Sequence, residues 1–295
     1  MAKEPPSSQR PPRAEEGGRD NPVEEVAGEV LDAVEEAGEL SARIARGTIV
    51  TILVYLGEIG VLLGQTLRSM RHGLHVGDVA RQMAVIGVDS LPIALLTTAF
   101  SGAVLALYSV RTFVEYGAAG FVGGLVGLSM VRETGPILTG VVLSARSGSA
   151  MTAEIGSMKV TEQIDALRSM AVSPIAYLVA PRLLACLIML PVVCIFANVV
   201  GILGGGVVAA GFGVPWRAFG DSMRLFLETS GADIFKGLVK TFVFGAIIAV
   251  VGCREGLQSE GGATGVGQST TRSVVVSIVL IFIANFFLTF LMFSD

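Results

Sequence analysis

The sequence predicts an all-α integral membrane protein, with an N-terminal interfacial helix, five transmembrane helices and a short cytoplasmic helix between the second and third spans. Hydrophobic residues make up 52% of the 295 residues and charged residues only 16%, whereas a soluble domain is about 25% charged. The mean hydropathy is +0.69. Most of the charge lies outside a few long apolar blocks, and this separation is typical of a polytopic membrane protein.

The N-terminal region, 1–45, is an acidic extension. Residues 1–48 hold 11 acidic and 6 basic side chains, which leaves 14 acidic and 15 basic ones in the rest of the chain. The Pro, Gly and charge content of residues 1–22 predicts disorder. Between Val23 and Ile44, apolar residues recur every three or four positions among glutamates, which predicts an amphipathic helix that is either solvated or docks a partner. Since no basic segment followed by an apolar one begins the chain, we expect no cleaved signal peptide.

Residues 46–82 are predicted to form an interfacial helix and a linker. The 19 residues of 49–67 are apolar except for Glu58 and Gln65, and such a helix could just cross a hydrocarbon core about 30 Å thick. A glutamate at mid-depth would be costly, however. Basic residues follow at once, beginning with Arg68. We therefore favour a helix lying in the cytoplasmic interface over a span.

Five spans are predicted from the long apolar runs, at about 90–110, 116–145, 183–210, 234–253 and 273–294. The third run is long enough to span and then turn through Gly204–Gly206 and Gly211–Pro215. Lys236 and Lys240 fall in the first two turns of the fourth span, where we expect their side chains to snorkel outward to the membrane surface.

The distribution of Lys and Arg predicts that the N-terminus is cytoplasmic and the C-terminus lies outside. With this orientation the inner connections, 68–83, 146–182 and 254–272, hold nine basic residues, and the outer ones, 111–115 and 217–233, hold three. Counting Lys236 and Lys240 with the outer connections gives nine against five and the same orientation.

A charged pair, Arg132 and Glu133, lies near the middle of the second span. Intramembrane charges usually face a cavity, a partner or each other. Adjacent residues on a helix point about 100° apart, so these two cannot simply face one another. We expect at least one of them to meet another group, such as Arg146, Glu154, a lipid head group or a second subunit. A salt bridge that stabilises the bundle and a polar element of a substrate pathway both stay open.

After the second span, a run of small residues, Ser144–Ala150, predicts close helix packing. The next segment, Met158–Met170, places Val160, Ile164 and Leu167 on one face and charged residues on the others, and it is broken by Pro174. This pattern predicts a short helix on the cytoplasmic surface, at about 158–171. It is either a solvated linker or a docking site for a cytoplasmic protein.

The sequence offers no catalytic, metal-binding or nucleic-acid-binding constellation. Gly262–Ser269 matches the phosphate-loop pattern except that Gln268 replaces the lysine that binds the phosphates, and it follows a span rather than a strand, so we expect a flexible Gly-rich cytoplasmic loop. The three cysteines lie singly in apolar runs, and the two histidines lie in a basic loop. We therefore expect no metal, no cofactor, no enzymatic activity and no nucleic-acid partner.

At this point the residues resemble a known family. The segment RETGPILTGVVLSARSGSAMTAEIGSMKVTEQIDALRSMAVSPIAYLVAPR, residues 132–182, resembles the signature region of the MlaE/YrbE permeases, which are the membrane subunits of MCE-type ABC lipid transporters. The resemblance extends from about Val79 to Asp295 and includes STTRSVV at 269–275 and LTFLMF at 288–293. It implies an MlaE-type permease domain over 83–295.

This resemblance implies a multi-pass protein of a cell inner membrane that moves phospholipid or a similar lipid. The implied partners are a second permease copy, a cytoplasmic ABC ATPase that binds the ATP, a periplasmic hexamer of MCE domains and membrane lipid; a small STAS-type regulatory subunit is also compatible with the family. In such permeases the segment matching 159–170 is the coupling helix that docks in the ATPase. The residues that would contact the ATPase are Lys159, Glu162, Gln163, Asp165 and Arg168.

The lipid cavity of the family lies between two protomers, and Arg132 and Glu133 match its intramembrane polar pair. Leu105, Tyr108 and Leu138 are candidates for its apolar wall by position. Two alternatives stay open. A secondary transporter would need coupling charges in paired repeats, and only one such cluster and no internal repeat are visible. A non-transporting membrane anchor of a larger complex would need no cavity.

Overall fold

The computed structural model describes residues 50, 53–70, 76–229 and 231–293. The chain divides into two units, residues 1–57 and 58–295. In the first unit the structure describes residues 50 and 53–57, which are helical. The predicted disordered tail and acidic amphipathic helix lie outside the described residues, as do the two histidines.

The second unit is helical, and among its described residues the structure contains no strand. Its helices are α1 (58–69), α2 (Val76–Ile86), α3 (Leu91–Glu115), α4 (Val122–Ser129), α5 (Gly135–Leu143), α6 (Ser149–Val160), α7 (Gln163–Ser169), α8 (Ala180–Gly211), α9 (Trp216–Thr229), α10 (Asp233–Leu257) and α11 (Gly262–Phe293). Short 3₁₀ segments lie at Val88–Ser90 and Ala119–Phe121. The helices are also joined by π-helical segments, at Met130–Thr134, Ser144–Gly148 and Ile175–Val179.

Five helical stretches of the described chain are long and apolar enough to cross a membrane. They are Val76–Glu115, Ala119–Val160, Ile175–Gly211, Asp233–Leu257 and Gly262–Met292. The predicted all-α membrane architecture with five spans is therefore confirmed. The longest stretch has 42 residues, or about 63 Å at 1.5 Å per residue, against a hydrocarbon core of about 30 Å. Its ends must project beyond the hydrocarbon.

A central cluster of buried apolar side chains holds the spans together. Its largest members include Leu143, Leu183, Leu190, Phe244 and Ile248, from α5, α8 and α10. Apolar residues of α1 pack against the same cluster. Since lipid is as apolar as these side chains, close van der Waals packing rather than a hydrophobic driving force stabilises this arrangement.

Glycines allow α3 and α8 to pack with their backbones in contact. A methyl group on Gly102 would collide with the carbonyl oxygen of Gly201, and one on Gly204 would collide with that of Ala99. The predicted turn through Gly204–Gly206 is therefore wrong, because α8 continues to Gly211 and these glycines admit neighbouring helices. The chain turns just afterwards, at Gly213, whose φ is +88°.

The connection between the third and fourth spans contains a helix that was not predicted from the sequence. This helix, α9, places the backbone carbonyl of Phe219 against Gly123 and the ring of Phe226 against Gly124 of α4. The Gly124 N–H donates to Ser222 Oγ at 3.0 Å. Because these two positions of α4 are glycines, α9 packs directly on the backbone of α4.

The Gly-rich segment Gly262–Ser269 is helical, so the prediction of a flexible loop is wrong. It forms the first two turns of α11, which packs along α6. The turn before it occupies Gly261 and Gly262, whose φ angles of +83° and +70° favour glycine. The sequence pattern therefore reflects a tight turn and a close helix contact.

Candidate functional site

The π-helical segment Met130–Thr134 presents the charged pair of the second span. Pro136 follows it and has no N–H, so it cannot donate to the carbonyl of Arg132 four residues earlier. The Gly135 N–H instead reaches back to the Met130 carbonyl, and this five-residue step widens the helix locally. The Arg132 carbonyl is thereby available to accept a hydrogen bond from another helix.

The ammonium group of Lys240 on α10 is the donor. It lies 3.0 Å from the Arg132 carbonyl oxygen, 2.6 Å from Glu133 Oε1 and 2.8 Å from Thr289 Oγ1. These three acceptors match the three protons of an ammonium group. The Lys240 side chain is 0% exposed, so its charge is compensated inside the bundle.

The carboxylate of Glu133 joins three helical elements. Besides the ion pair with Lys240, it accepts hydrogen bonds from Asn285 Nδ2 at 2.9 Å and Thr289 Oγ1 at 3.0 Å, both on α11. A carboxylate can accept several such bonds. The π segment, α10 and α11 therefore meet at one polar cluster, which we call the Glu133 cluster.

Arg132 points to a different partner on α10. Its Nε lies 3.0 Å from Asp233 Oδ2, and the Asp233 side chain is nearly buried. Asp233 stands in the first turn of α10, where the helix dipole favours a negative charge. One turn later, Lys236 Nζ donates to the Met292 carbonyl oxygen at 2.6 Å. The two neighbouring charges of the second span thus pair separately, as their angular separation predicted.

One expectation about these charges is wrong, and the expectation that they meet other groups is met by different partners from the examples given. Lys240 does not snorkel outward, because three acceptors inside the bundle hold its ammonium group. Neither Arg146 nor Glu154 pairs with the charged pair: Arg146 donates to Ser90 Oγ at 3.2 Å, and Glu154 pairs with Arg182. About a third of each side chain of the pair is exposed, 34% for Arg132 and 35% for Glu133.

The three apolar candidates occupy different environments. Leu105 is half-buried and packs against a second cluster formed by α3, α4, α8 and α9. Tyr108, one turn along α3, is exposed. Leu138 is half-buried on α5, one turn after Thr134. Their assignment to a lipid cavity remains a prediction.

The short cytoplasmic helix is divided differently from its prediction at 158–171. The second span continues through α6 to Val160, the chain turns at Thr161 and Glu162, and α7 has only seven residues. Ile164 is fully buried and Leu167 half-buried, as expected for an apolar face, but Val160 belongs to α6 and is exposed. This break is not predicted from the sequence, because the apolar spacing continues through the turn and the turn contains neither glycine nor proline.

Left-handed residues flank α7 on both sides. Glu162 has a φ of +60° and Ala171 one of +58°. At the second end the Val172 N–H donates to the Leu167 carbonyl and the Ala171 N–H to that of Arg168, both at 3.0 Å, which is the Schellman arrangement. A non-glycine residue in this region costs about 1–2 kcal/mol. The position of α7 is therefore held against local backbone preference.

The predicted ATPase-contacting residues lie together on and around α7. Asp165 forms ion pairs with Lys159 at 3.4 Å and with Arg168 at 3.1 Å. Gln163 Nε2 donates to Thr161 Oγ1 at 3.1 Å, and Glu162 is exposed. The structure thus brings the five residues into one surface patch, whose role as a docking site remains a prediction.

The small-residue run Ser144–Ala150 packs closely, as predicted. Ser147 Oγ donates to the Ile86 carbonyl at 3.2 Å and lies 3.0 Å from Ser90 Oγ. Gly148 faces Ile248 of α10. The run therefore anchors the junction of α2 and α3 to the second span.

A cluster of charges joins α1 to α10. Arg254 Nε donates to Glu58 Oε2 at 2.9 Å, Gln258 Nε2 lies 3.3 Å from the same oxygen, and Arg254 also pairs with the buried Glu255. The hydrogen bonds from Arg254 and Gln258, together with the charge of Arg254, hold the pKa of Glu58 below its ordinary value of 4.5. Glu58, which counted against a span for this helix, therefore has a partner.

Four residues that pair with Arg132 or belong to the Glu133 cluster were not predicted as site residues. They are Asp233, Lys240, Asn285 and Thr289. The signal in the sequence was spacing. Asn285 and Thr289 are four residues apart on one face of α11, and Asp233 and Lys240 are seven residues apart on α10. The interhelical hydrogen bond from Asn285 is of the kind that polar side chains within spans commonly form. Among the described residues, no group of three His, Cys, Asp or Glu side chains is placed to hold a metal ion.

Residues 79–291 match the family described as Permease MlaE. This match covers more than half of the chain and includes the Glu133 cluster and α7. The chain belongs to the MlaE permease family. The resemblance of 132–182 to the family signature is thereby confirmed.

Several curated relatives of this MlaE permease carry permease names. A protein of Synechocystis sp. named "Probable ABC transporter permease protein" is 44% identical over 235 residues, which is 79% of this chain and 89% of the relative. A protein of the same name from Rickettsia typhi is 42% identical over 224 residues, 75% of this chain and 85% of the relative. The chloroplastic protein Trigalactosyldiacylglycerol 1 of Arabidopsis thaliana is 37% identical over 79% of this chain and 66% of its own length. Family and architecture together make the chain a multi-pass membrane permease.

Proposed function

We propose that this MlaE permease moves phospholipid or a similar lipid between the inner membrane and a periplasmic MCE protein, driven by a separate cytoplasmic ATPase. The observation that carries the proposal is the Glu133 cluster with its neighbour Arg132. This polar site is held in place within a span, and about a third of each of the Arg132 and Glu133 side chains stays exposed. The name of the Arabidopsis relative, which contains the name of a galactolipid, supports a lipid substrate.

In the proposed mechanism, two permease copies enclose a cavity whose width changes when the ATPases close on ATP. The permease holds no cofactor, since ATP binds to the ATPase. Apolar wall residues such as Leu105, Tyr108 and Leu138 would hold the acyl chains, and burial contributes about 0.8 kcal/mol per methylene. Arg132 would hold the head group, because a guanidinium is suited to bind phosphate.

The exposed patch around α7 is the proposed docking site for the ATPase. The seven residues of α7 form a short helix between two spans, anchored by the buried Ile164. The exposed Glu162 and the ion-paired Asp165 offer carboxylates to the partner. This assignment requires a cytoplasmic N-terminus and a periplasmic C-terminus, in agreement with the excess of Lys and Arg in the inner connections.

The docking assignment is tested by charge reversal at Glu162. Glu162→Lys should abolish lipid-stimulated ATP hydrolysis and co-purification of the ATPase while the permease stays folded, because the side chain is exposed. Glu228→Lys on α9 is the control, since Glu228 is also an exposed carboxylate but lies outside α7. Normal lipid-stimulated ATP hydrolysis in the Glu162→Lys variant would mean that α7 is not the docking site.

The head-group assignment is tested by lipid occupancy. Arg132→Ala should lower the amount of phospholipid that co-purifies with the permease, measured by mass spectrometry against protein concentration. Arg217→Ala, at an exposed position of α9, serves as the control. Full lipid occupancy in Arg132→Ala would mean that the pair with Asp233 is purely structural.

A further inference from the structure

An arginine at the base of α7 joins the two spans that flank this helix. Arg182, in the first turn of α8, pairs through Nη2 with Glu154 Oε2 of α6 at 2.7 Å. Its Nη1 donates to the Leu178 carbonyl oxygen at 2.7 Å. One guanidinium therefore connects the end of the second span, the π segment Ile175–Val179 and the start of the third span.

Arg182 is buried much more deeply than its partner Glu154. The Arg182 side chain is 4% exposed and that of Glu154 is 57% exposed. The Nε of Arg182 is buried and has no hydrogen-bond partner in the described part of the chain. A well-packed apolar side chain is often at least as stabilising as a buried ion pair. What the guanidinium adds at this position is directional geometry, two bonds in a fixed fork.

The pair also touches the cluster that anchors α7. Ile164 of α7 is buried with Ile155, Leu178, Val179 and Cys253. Ile155 follows Glu154 directly in α6, and Leu178 supplies the carbonyl that Arg182 binds. A displacement of α7 would therefore press on both elements that the guanidinium joins.

We propose that Arg182 is a positioning residue that makes α6 and the start of α8 move as one body beneath α7. Displacement of α7 by the ATPase then moves the second and third spans together. The proposal rests on the proposed function, because the force it routes comes from the partner ATPase. Without the Arg182–Glu154 pair, α7 still docks, but its movement divides between two independent helices and less lipid moves for each ATP hydrolysed.

The test measures the ratio of lipid transferred to ATP hydrolysed. The complete complex is purified with its ATPase and reconstituted in vesicles of phosphatidylethanolamine and phosphatidylglycerol that contain a fluorescent phospholipid. Glu154→Gln, Arg182→Gln, the double variant and the conservative Arg182→Lys are compared with wild type. The control is Glu228→Gln, which breaks the exposed Arg224–Glu228 pair of 3.3 Å on α9.

The expected result is a ratio of lipid transferred to ATP hydrolysed that is about fivefold lower in Glu154→Gln and Arg182→Gln than in wild type, comparable in size to the weaker couplings between sites. Basal ATP hydrolysis and co-purification of the ATPase should persist. The double variant should be no worse than either single one, because both remove the same connection. Arg182→Lys should recover part of the ratio, and Glu228→Gln should match wild type.

Three results would overturn the proposal. The first is an unchanged ratio of lipid transferred to ATP hydrolysed in the single variants. The second is a loss in the double variant that equals the product of the two single losses. The third is a loss of transport that is explained by a lower unfolding temperature of the variants, with no separate change in the ratio. If Arg182→Gln fails to fold, Glu154→Gln decides alone, since its side chain is mostly exposed. A wild-type complex that hydrolyses ATP without moving lipid would contradict the proposed function itself, whereas wild-type transfer with unaffected variants contradicts only this inference.

Discussion

Removal of the Lys240 ammonium group should destabilise the bundle measurably. Lys240→Met deletes three hydrogen bonds, to Glu133, Thr289 and the Arg132 carbonyl. Interhelical hydrogen bonds in membrane proteins contribute about 0.6 kcal/mol each on average, which gives about 2 kcal/mol for three. Breaking a fully buried ion pair costs about 3–5 kcal/mol. The loss should lie toward the lower figure, because Glu133 is 35% exposed.

The assay is unfolding of the purified permease in mixed micelles, with increasing SDS as the denaturant. Glu133→Gln, Lys240→Met and the double variant form a cycle whose coupling energy should be about 1 kcal/mol or more. Lys236→Met, one turn earlier, is the control; it removes a half-buried lysine that donates to the Met292 carbonyl, and about 0.6 kcal/mol is expected. Additive losses in the cycle would refute the reasoning, because they would mean that the two charges do not stabilise each other.

Three further outcomes follow from the backbone and the charges. Ala171→Gly should raise the unfolding free energy by about 1 kcal/mol, because residue 171 has a φ of +58°, whereas Ala166→Gly within α7 should lower it by about as much; equal effects would contradict the strain argument. Gly102→Ala should destabilise by about 1–3 kcal/mol through overpacking against Gly201, while Gly267→Ala, which has open space around it, should not. The pKa of Glu58 is lowered in the folded state, so its pairing stabilises the fold above the ordinary value of 4.5 and is lost as the pH falls through the folded-state pKa; the stability difference between wild type and Glu58→Gln should vanish in acid, and a pH-independent difference would contradict the pairing.

The sequence predicted the spans because their signal is local. Long uncharged runs identify helices in a membrane regardless of how they pack. The interior of the third span shows the limit. Gly204–Gly206 has the composition of a turn, but glycines also admit a neighbouring backbone, and only the contact of α8 with α3 decides between the two.

The candidate site was predicted in part. Arg132 and Glu133 stood out because charges at mid-span are rare. Their partners did not, because Lys240 near the start of a span fits snorkelling equally well. One of the three acceptors that hold Lys240 inward is the Arg132 carbonyl, more than a hundred positions away in the chain, which Pro136 cannot bond because it has no N–H. The π-helical segment itself has no signature in the hydropathy pattern.

The short helix α7 illustrates a second limit. Its apolar spacing was correct for Ile164 and Leu167, which are buried in the cluster with Ile155. The break before it, at Glu162, uses a left-handed conformation that sequence rules reserve mainly for glycine. A strained turn of this kind is stabilised by tertiary packing, so spacing alone extends the helix too far.

The central claim is that this MlaE permease moves lipid under the control of a separate ATPase. The most direct measurement is co-purification of the permease with its partners from native membranes, followed by mass spectrometry of bound lipid and an ATP-dependent transfer assay on the same complex. We expect a cytoplasmic ATPase and an MCE protein in the complex, phospholipid bound to it, and transfer that stops when ATP is withheld. A complex without lipid, or lipid transfer that proceeds equally without ATP, would contradict the account.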